Sequence, residues 1–504
     1  MLTINKLTIK NCIFDNELIK ELSFTLNKND KIAIIGSEGT GKSTLLKLIK
    51  GDRLDYISYS GEIIKQGIIS YIEQNISYLW DNKTVFEFLY YEVKERIDHL
   101  DVYTRIYLND FGLEYNNINH RKIKTFSGGE KVKLSIVKAL IKEPDILLID
   151  EPTNDLDFET IKFIENFMIR TNLPILFISH DQRLLENVAN GIIHIQHIHK
   201  QTISNTFFFK GDYNTYKDRF FNKFESDLQK AKRQRSDYNQ KMKKFTKIYS
   251  KVEYQQNQAV RNPSLARLLK KKIRALKSQE NRYIKEKESW IDIPEKEEPM
   301  SIFFPQTIKT NNSKRLIEFK VPQFKLPNGK VINNLDLHIS GGEKIVIYGK
   351  NGVGKTTFIK KIIDILKNKK LNYGYIPQNY MELLIPNISV IKYIMNSQEK
   401  YPEYRIRQIL GQLGFKKQEM NDYISQISEG LKLKVLLLIL VTKETEILIL
   451  DEPTRNISPI NQDEIYDLFL NYQGSILAIT HDRVFIETVF DDIYEFTDQG
   501  LKLK

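Results

Sequence analysis

The sequence predicts an α/β protein in which two similar units flank a long antiparallel helical hairpin. Three observations lead there. A glycine-rich turn set between a strand-like run and a helix-like run occurs twice, and the same ordered polar residues follow each copy. The middle of the chain, Lys217 to Glu288, has no glycine and keeps a strict three-and-four apolar spacing. A length of 504 residues accommodates two or three separate cores.

In the first unit "GSEGTGKSTLLKLI" follows "DKIAII", and in the second "GKNGVGKTTFIKKI" follows "EKIVIY". Each reads strand, loop, helix. Gly36, Gly39 and Gly41, and in the second copy Gly349, Gly352 and Gly354, let backbone N–H groups turn inward around phosphate oxygens. Ser37, Thr44, Asn351 and Thr357 belong to the same phosphate-binding stretches. Lys42 and Lys355 supply the neutralising charge, and Ser43 and Thr356 are placed to hold Mg²⁺. Further on, "DILLIDEPTNDLD" and "EILILDEPTRNIS" are buried-strand runs ending in Asp150-Glu151 and Asp451-Glu452. The aspartate of each pair suits Mg²⁺; the glutamate suits orienting or deprotonating an attacking water. A last apolar strand in each unit ends in His180 or His481. Ser127 to Ser428, Glu151 to Glu452 and His180 to His481 share one offset of 301 residues, the mark of a duplication.

Gln74 and Gln378 sit between loop and carboxylates, so each unit carries the same motifs in one order. This set is similar to that of the ATP-binding cassette family: Walker A, Q-loop, signature, Walker B, D-loop and switch histidine, twice. The resemblance implies two P-loop ATP-binding cassette domains that hydrolyse ATP with Mg²⁺. It implies that Glu151, Glu452, His180 and His481 act in catalysis, and that Gln74 and Gln378 join Ser43, Asp150, Thr356 and Asp451 around the metal. Cassettes of this kind pair head to tail, so one site joins Lys355 and its neighbours to Ser127, Gly128, Gly129 and Glu130. The other joins Lys42 and its neighbours to Ser428, Glu429 and Gly430. There "SGGE" has become "SEGL", and the D-loop aspartate Asp157 has become Ser458. A carboxylate where a glycine approaches triphosphate adds bulk and like-charge repulsion.

The middle segment holds 22 Lys and Arg against 8 Asp and Glu, a net charge of +14, whereas the whole chain carries +12. Phe221, Phe224, Leu228, Ala231, Tyr238, Met242, Phe245, Tyr249 and Val252 form one seam, broken by Arg235; Leu269, Ile273, Leu276, Tyr283 and Trp290 form its partner. Asn262-Pro263 should break the first helix, Ser264 should cap the second, and a first helix of about 40 residues should reach about 60 Å. The expected domains are 1–212, the hairpin 213–291 with its tip at 255–268, a connection at 292–314, and 315–504. Phosphate contacts by such a rod gain counterion-release free energy, so a nucleic acid is the expected partner. One cysteine, Cys12, excludes an intramolecular disulfide, and no apolar run approaches the length of a membrane span. No signal peptide is evident, so a cytoplasmic monomer with intramolecular cassette pairing, without membrane or dedicated protein partner, is expected.

A basic hairpin joining two cassettes resembles the ABC-F family, and the absence of an extra arm between Gln74 and Ser127 is similar to its antibiotic-resistance members of the Lsa and Vga type. That likeness implies a ribosome partner, with 23S rRNA, the P-site tRNA and the tRNA exit site as contacts and the tip near the peptidyl transferase centre. Gln258, Arg261, Asn262, Pro263, Ser264, Leu265 and Arg267 are the tip residues so implied, with Leu265 and Leu268 expected to close the hairpin. The alternatives are a housekeeping factor for stalled ribosomes and the energising subunit of an exporter. Phe14 and Phe324 are the aromatics considered for adenine stacking.

Overall fold

The computed structural model describes every residue except 75, 92–96, 155, 199–202, 259–262, 289, 291–313, 328, 399–400, 428, 444 and 456. Its contacts divide the chain into one unit of 1–213 with 297–504 and a second of 214–296.

In the first half of the larger unit a six-stranded sheet has the order Ile69–Ile72, Ile146–Asp150, Ile175–Ile178, Lys31–Ile35, Gly191–Ile198 and Ile203–Lys210. All neighbours are parallel except the last pair. The second half repeats this order with Tyr373–Ile376, Ile447–Asp451, Ser475–Ile479, Lys344–Tyr348, Asp492–Thr497 and Gly500–Leu503. Runs such as "ILLID" and "ILILD" are buried at every position because helices or a second sheet cover both faces. That pattern is why these segments are apolar throughout rather than alternating.

The small antiparallel sheet beside each large one differs between the halves. In the first it has three strands, Leu2–Asn11, Asn16–Leu26 and Ile57–Lys65. In the second, Arg315–Lys325 pairs only with Val331–Ser340, since just three residues separate the helix Lys355–Asn368, with its cap Lys369, from Tyr373. There is no chain for a third strand.

The smaller unit is a helical hairpin. Its first helix is Tyr213–Gln258, 46 residues and about 69 Å, longer than the expected 40. The second is Pro263–Glu288. Phe245, Val252, Leu269 and Leu276 are buried in one seam, flanked by Met242, Tyr249, Ala266, Ile273 and Tyr283. Arg235 interrupts the apolar row without opening it: its guanidinium lies 5.4 Å from the Trp290 ring, which also meets Tyr238 edge-on. Two expectations at the tip need correction. Pro263 starts the second helix, where its missing N–H costs nothing, so Ser264 lies inside the helix and does not cap it. Leu265 and Leu268 are 45% and 67% exposed, because Ala266 and Leu269 take the seam positions one residue later. Arg261 and Asn262 lie outside the described residues.

Truncating the most central aromatic should loosen this unit alone. Phe245→Ala is expected to cost about 3 kcal/mol, which quickens amide hydrogen exchange in both helices by about a hundredfold. Exchange in the two sheets should not change. Unaltered exchange in the hairpin would mean that the seam does not hold its helices together.

Candidate functional site

Each glycine-rich loop joins a central strand to a helix, Lys42–Lys50 or Lys355–Asn368. Gly41 and Gly354, the residues before these helices, have φ of 93° and 110°, a left-handed conformation that a side chain would strain. At Gly36 a Cβ would come within 2.2 Å of the Ile195 carbonyl oxygen, so only glycine fits. The lysines fold back into their loops. Lys42 Nζ donates to the carbonyls of Gly36 and Ser37, both at 2.8 Å. Lys355 Nζ donates to the carbonyls of Gly349 and Lys350 and also to His481 Nε2 at 3.1 Å. Ser43, Thr44, Thr356 and Thr357 follow in the first turn of these helices, and Ser37, Gly39, Asn351 and Gly352 lie in the loops themselves.

The strand next but one delivers the carboxylates. Asp150 accepts from Ser43 Oγ at 3.1 Å through one oxygen and from Tyr71 Oη at 2.8 Å through the other. Burial pushes this carboxyl up, against the pull of those two hydrogen bonds. Tyr71 itself is pushed well above the ordinary phenol range by burial and by Asp150. Asp451 is also pushed up by burial, against a hydrogen bond from Thr356. Its Oδ2, however, is buried and has no hydrogen-bond partner among the described residues. Tyr71 escaped the sequence reading although "SYI" and "GYI" recur just before Gln74 and Gln378.

Glu151 and Glu452 both take left-handed backbone, with φ of 47° and 52°. Non-glycine residues hold that conformation only where surrounding contacts enforce it, which is common at reacting centres. Their surroundings differ. Burial works upward on Glu151, but it is outweighed by the hydrogen bond and charge of His180 and by Lys42 and Asn154, which together hold the carboxyl below its usual range. Gln74 Nε2 donates to the same carboxylate at 2.9 Å rather than to Asp150. Glu452 accepts from Thr480 Oγ1 and the His481 backbone N–H at 3.1 and 3.3 Å, and burial with the neighbouring Asp451 raises it to about 7.

The two histidines differ as well. His180 Nε2 lies 3.5 Å from Glu151, and its Nδ1 bonds the Ile457 carbonyl of the other half at 3.0 Å. His481 is pushed down to about 3 by burial and by the Lys355 charge, so it is a neutral imidazole accepting from that lysine. A cavity of about 540 Å³ opens around Lys355, lined by Thr356, Gln378, Asp451, Glu452 and His481, with Asn154 and Leu156 from the first half. The D-loop side of the first half is thus in place: Phe158 packs on Tyr348, and Glu159 pairs with Lys350 at 3.0 Å.

The signature is not among the residues lining that cavity, in contrast to the expected site two. Ser127 and Glu130 form a capping box at the start of Gly128–Leu140, and Gly129 lies against Thr160 of its own half. Gly430 lies in the first turn of Glu429–Thr442; Ser428 lies outside the described residues. Asp157 caps the helix Phe158–Arg170, whereas the Ser458 hydroxyl at the matching place is buried without a partner among the described residues. Of the two aromatics considered for adenine stacking, Phe14 is 75% exposed, and Phe324 packs against Phe319 and Phe358.

The residues fit Mg²⁺: Asp451 presents a buried oxygen without a partner beside the Thr356 hydroxyl, and Ser43 with Asp150 repeats the donor set. A cation held there neutralises phosphate charge. The lysines now bonded to loop carbonyls are the groups available to phosphate oxygens, and the glutamates are positioned one residue beyond Asp150 and Asp451.

Comparison with known proteins agrees with this geometry. The ABC transporter family model matches residues 19–154 and 332–455, together just over half of the chain. ATP-binding protein Uup of Buchnera aphidicola from Schizaphis graminum is 28% identical over 97% of this chain and 79% of its own. Ribosome protection protein VmlR of Bacillus subtilis is 25% identical over 97% and 85%, and ABC transporter F family member 5 of Arabidopsis thaliana 24% over 96% and 73%. Among solved structures, the archaeal ribosome recycling factor aABCE1, in complex with stalk protein aP1, superposes with a TM-score of 0.60 over 99% of this chain and 89% of that chain, at 16% identity. Two repeated sheets with the same strand order, two phosphate loops and two carboxylate pairs thus have one explanation: the chain belongs to the ABC transporter family, as a tandem ATP hydrolase.

Proposed function

We propose that this ATPase binds the ribosome through its basic hairpin, favouring the bound state with ATP and leaving it on hydrolysis. The observation that carries the reading is a net charge of +14 on residues 217–288 while the remainder of the chain is nearly neutral. Similarity to a ribosome protection protein and a fold shared with a ribosome recycling factor support it. Lys42 and Lys355 bind the triphosphate; Ser43, Asp150, Thr356 and Asp451 hold Mg²⁺, with Gln74 and Gln378 beside it. Glu151 and Glu452 orient the attacking water, steadied by His180 and His481. Closing the cassettes brings Ser127–Glu130 to the Lys355 site and Ser428–Gly430 to the Lys42 site. No helix among the described residues is long and apolar enough to cross a membrane.

The finer reading is protection of the ribosome against pleuromutilin, lincosamide and streptogramin A drugs, with residues 255–268 reaching toward the peptidyl transferase centre. Action on stalled ribosomes without any drug is the alternative, and similarity to Uup, a protein whose name specifies no drug, speaks for it.

The gating proposal predicts that Glu151→Gln with Glu452→Gln keeps ATP binding while turnover falls by about a hundredfold or more. Ribosomes should then copurify with the double variant more than with the wild type in ATP; equal recovery would remove the gating model. Single variants should separate the sites by pH. With Glu151→Gln only Glu452 works, and because its carboxyl is raised to about 7 it takes up a proton as the pH falls. ATPase activity should drop about tenfold between about pH 8 and about pH 6. With Glu452→Gln the remaining Glu151 is held low and stays ionised, so activity across that window should be flat. At about pH 8 the Glu452→Gln variant should be the slower of the two, since its remaining site faces Glu429; identical profiles would mean that the carboxylates are equivalent. Shortening 258–264 while keeping both helices should abolish drug resistance in a sensitive bacterium but preserve ribosome pelleting. Full resistance with a shortened tip would favour the drug-free role.

A further inference from the structure

The first cassette carries a face whose counterpart in the second is largely closed. On the turn Tyr78–Trp80 and at the end of the helix Val85–Tyr90, Tyr78, Leu79 and Tyr91 are 80%, 70% and 70% exposed. The matching turn of the second cassette, Tyr380–Leu383, tucks Tyr380 and Met381 against the core, buries the following Leu384, and leaves the aliphatic Leu383 and Ile385 outside. Charge differs in the same place. Residues 119–142 hold seven Lys and Arg against one Glu, whereas the aligned 420–443 hold three Lys against Asp422 and Glu429. Lys138, whose Nζ lies 4.7 Å from the Trp80 ring and 4.5 Å from Phe88, is replaced in the second cassette by the buried Ile439.

Trp80 forms a wall between two adjoining grooves. One, of about 240 Å³, is lined by Lys50, Tyr71, Lys138 and Lys142. The other, of about 490 Å³, is lined by Leu79, Lys83, Phe86 and Tyr91. Two carboxylates temper the charge, Glu73 in the first groove and Glu87 in the second, and Glu87 is committed to the Thr84 capping box and to Lys83. Exposed rings interleaved with lysines meet the two needs of a single-stranded nucleic acid, stacking for bases and cations for phosphates. A folded protein partner would cover the rings but would need acidic groups opposite each lysine.

We propose that this face of the first cassette binds single-stranded RNA, as a contact separate from the hairpin. The proposal rests on the ribosome reading only for where such RNA is met. Tyr71 makes the face more than a tether: it lines the first groove and donates to Asp150 at 2.8 Å, so an occupant sits one hydrogen bond from the metal-holding carboxylate.

Ultraviolet crosslinking of the full-length protein to an unstructured, fluorescein-labelled RNA, followed by peptide mapping, tests the position. Nucleotide adducts on the peptide spanning 78–91 are expected; adducts confined to 213–288 would overturn the proposal. Tyr78→Ala with Tyr91→Ala should weaken binding of the same RNA about fivefold or more, whereas Tyr78→Phe with Tyr91→Phe, which keeps the rings, should not. Thermal melting of each variant reports any loss of fold, and equal weakening by Phe and Ala would count against stacking. Lys138→Gln with Lys142→Gln should lower the slope of log affinity against log salt by about 1.4, two phosphate contacts at about 0.7 each. If these variants reduce ribosome pelleting but leave RNA affinity and salt slope unchanged, the occupant is a protein and the proposal falls. If wild type fails to pellet with ribosomes in ATP while the 78–91 adducts persist, the ribosome reading falls and this face stands.

Discussion

Parallel pairing of four neighbouring strands is the constraint on which everything else depends. In the first cassette Ile34 and Asp150 both pair with Ile178, so three chain segments far apart in sequence end at one level. Their carboxyl ends then deliver the phosphate loop, the carboxylate pair and His180, and the fourth strand, Ile69–Ile72, adds Tyr71 and Gln74. A crevice beyond the carboxyl ends of parallel strands is where α/β folds bind ligands, since loops are free to diverge there while the sheet stays buried. The second cassette keeps the same register, with Ile347 and Asp451 both paired to Ile479.

On this shared scaffold the two sites hold their charges differently. In the first, Asp150 is engaged through both oxygens and Glu151 is surrounded by donors. In the second, Asp451 keeps an unengaged oxygen, and Lys355 and His481 are bonded to each other. The lysine of the second site must release the histidine to reach a phosphate, whereas Lys42 is bonded to the carbonyls of Gly36 and Ser37. Duplication therefore preserved the positions of the reacting groups while their local hydrogen bonding diverged. Under the proposed head-to-tail pairing, the altered "SEGL" stretch adds a second asymmetry of the opposite polarity, because it would serve the site that has the more fully paired carboxylates.

Much of this was legible in the sequence because the chemistry requires particular residues at fixed offsets. Gly36, Lys42, Asp150, Glu151 and His180, with their second copies, could be placed from spacing alone. The shorter side sheet was legible too: 32 residues separate Lys42 from Gln74, but only 23 separate Lys355 from Gln378. At the hairpin tip the periodicity was right and the phase was not. Leu265 and Leu268 have helical spacing to the seam, yet Ala266 and Leu269 win it, and a one-residue slip turns a helical side chain by about 100°. What no spacing could show is contact between the cassettes. That His180 reaches Ile457, or that Arg483 reaches Glu165 and Asp181, depends on how two folded surfaces meet.

Beside the carboxylates that take Arg183, Lys350 and Arg483 across that meeting point, three of its acceptors are main chain. His180 bonds the carbonyl of Ile457, Gln182 donates to the carbonyl of Pro459 at 2.7 Å, and Gln462 donates to the carbonyl of His180 at 2.9 Å. A carbonyl is present whatever side chain a codon specifies, so mutation at 457 or 459 changes the side chain and leaves the acceptor. The part of the linkage that ends on the loop 457–459 is thereby insulated from genetic drift on the acceptor side. This accounts for how the D-loop of the second cassette could exchange its aspartate for Ser458 while the histidine of the first still grips it. Robustness of this kind belongs to backbone geometry, and it leaves the sequence of the loop free to wander while the mechanical connection is inherited intact.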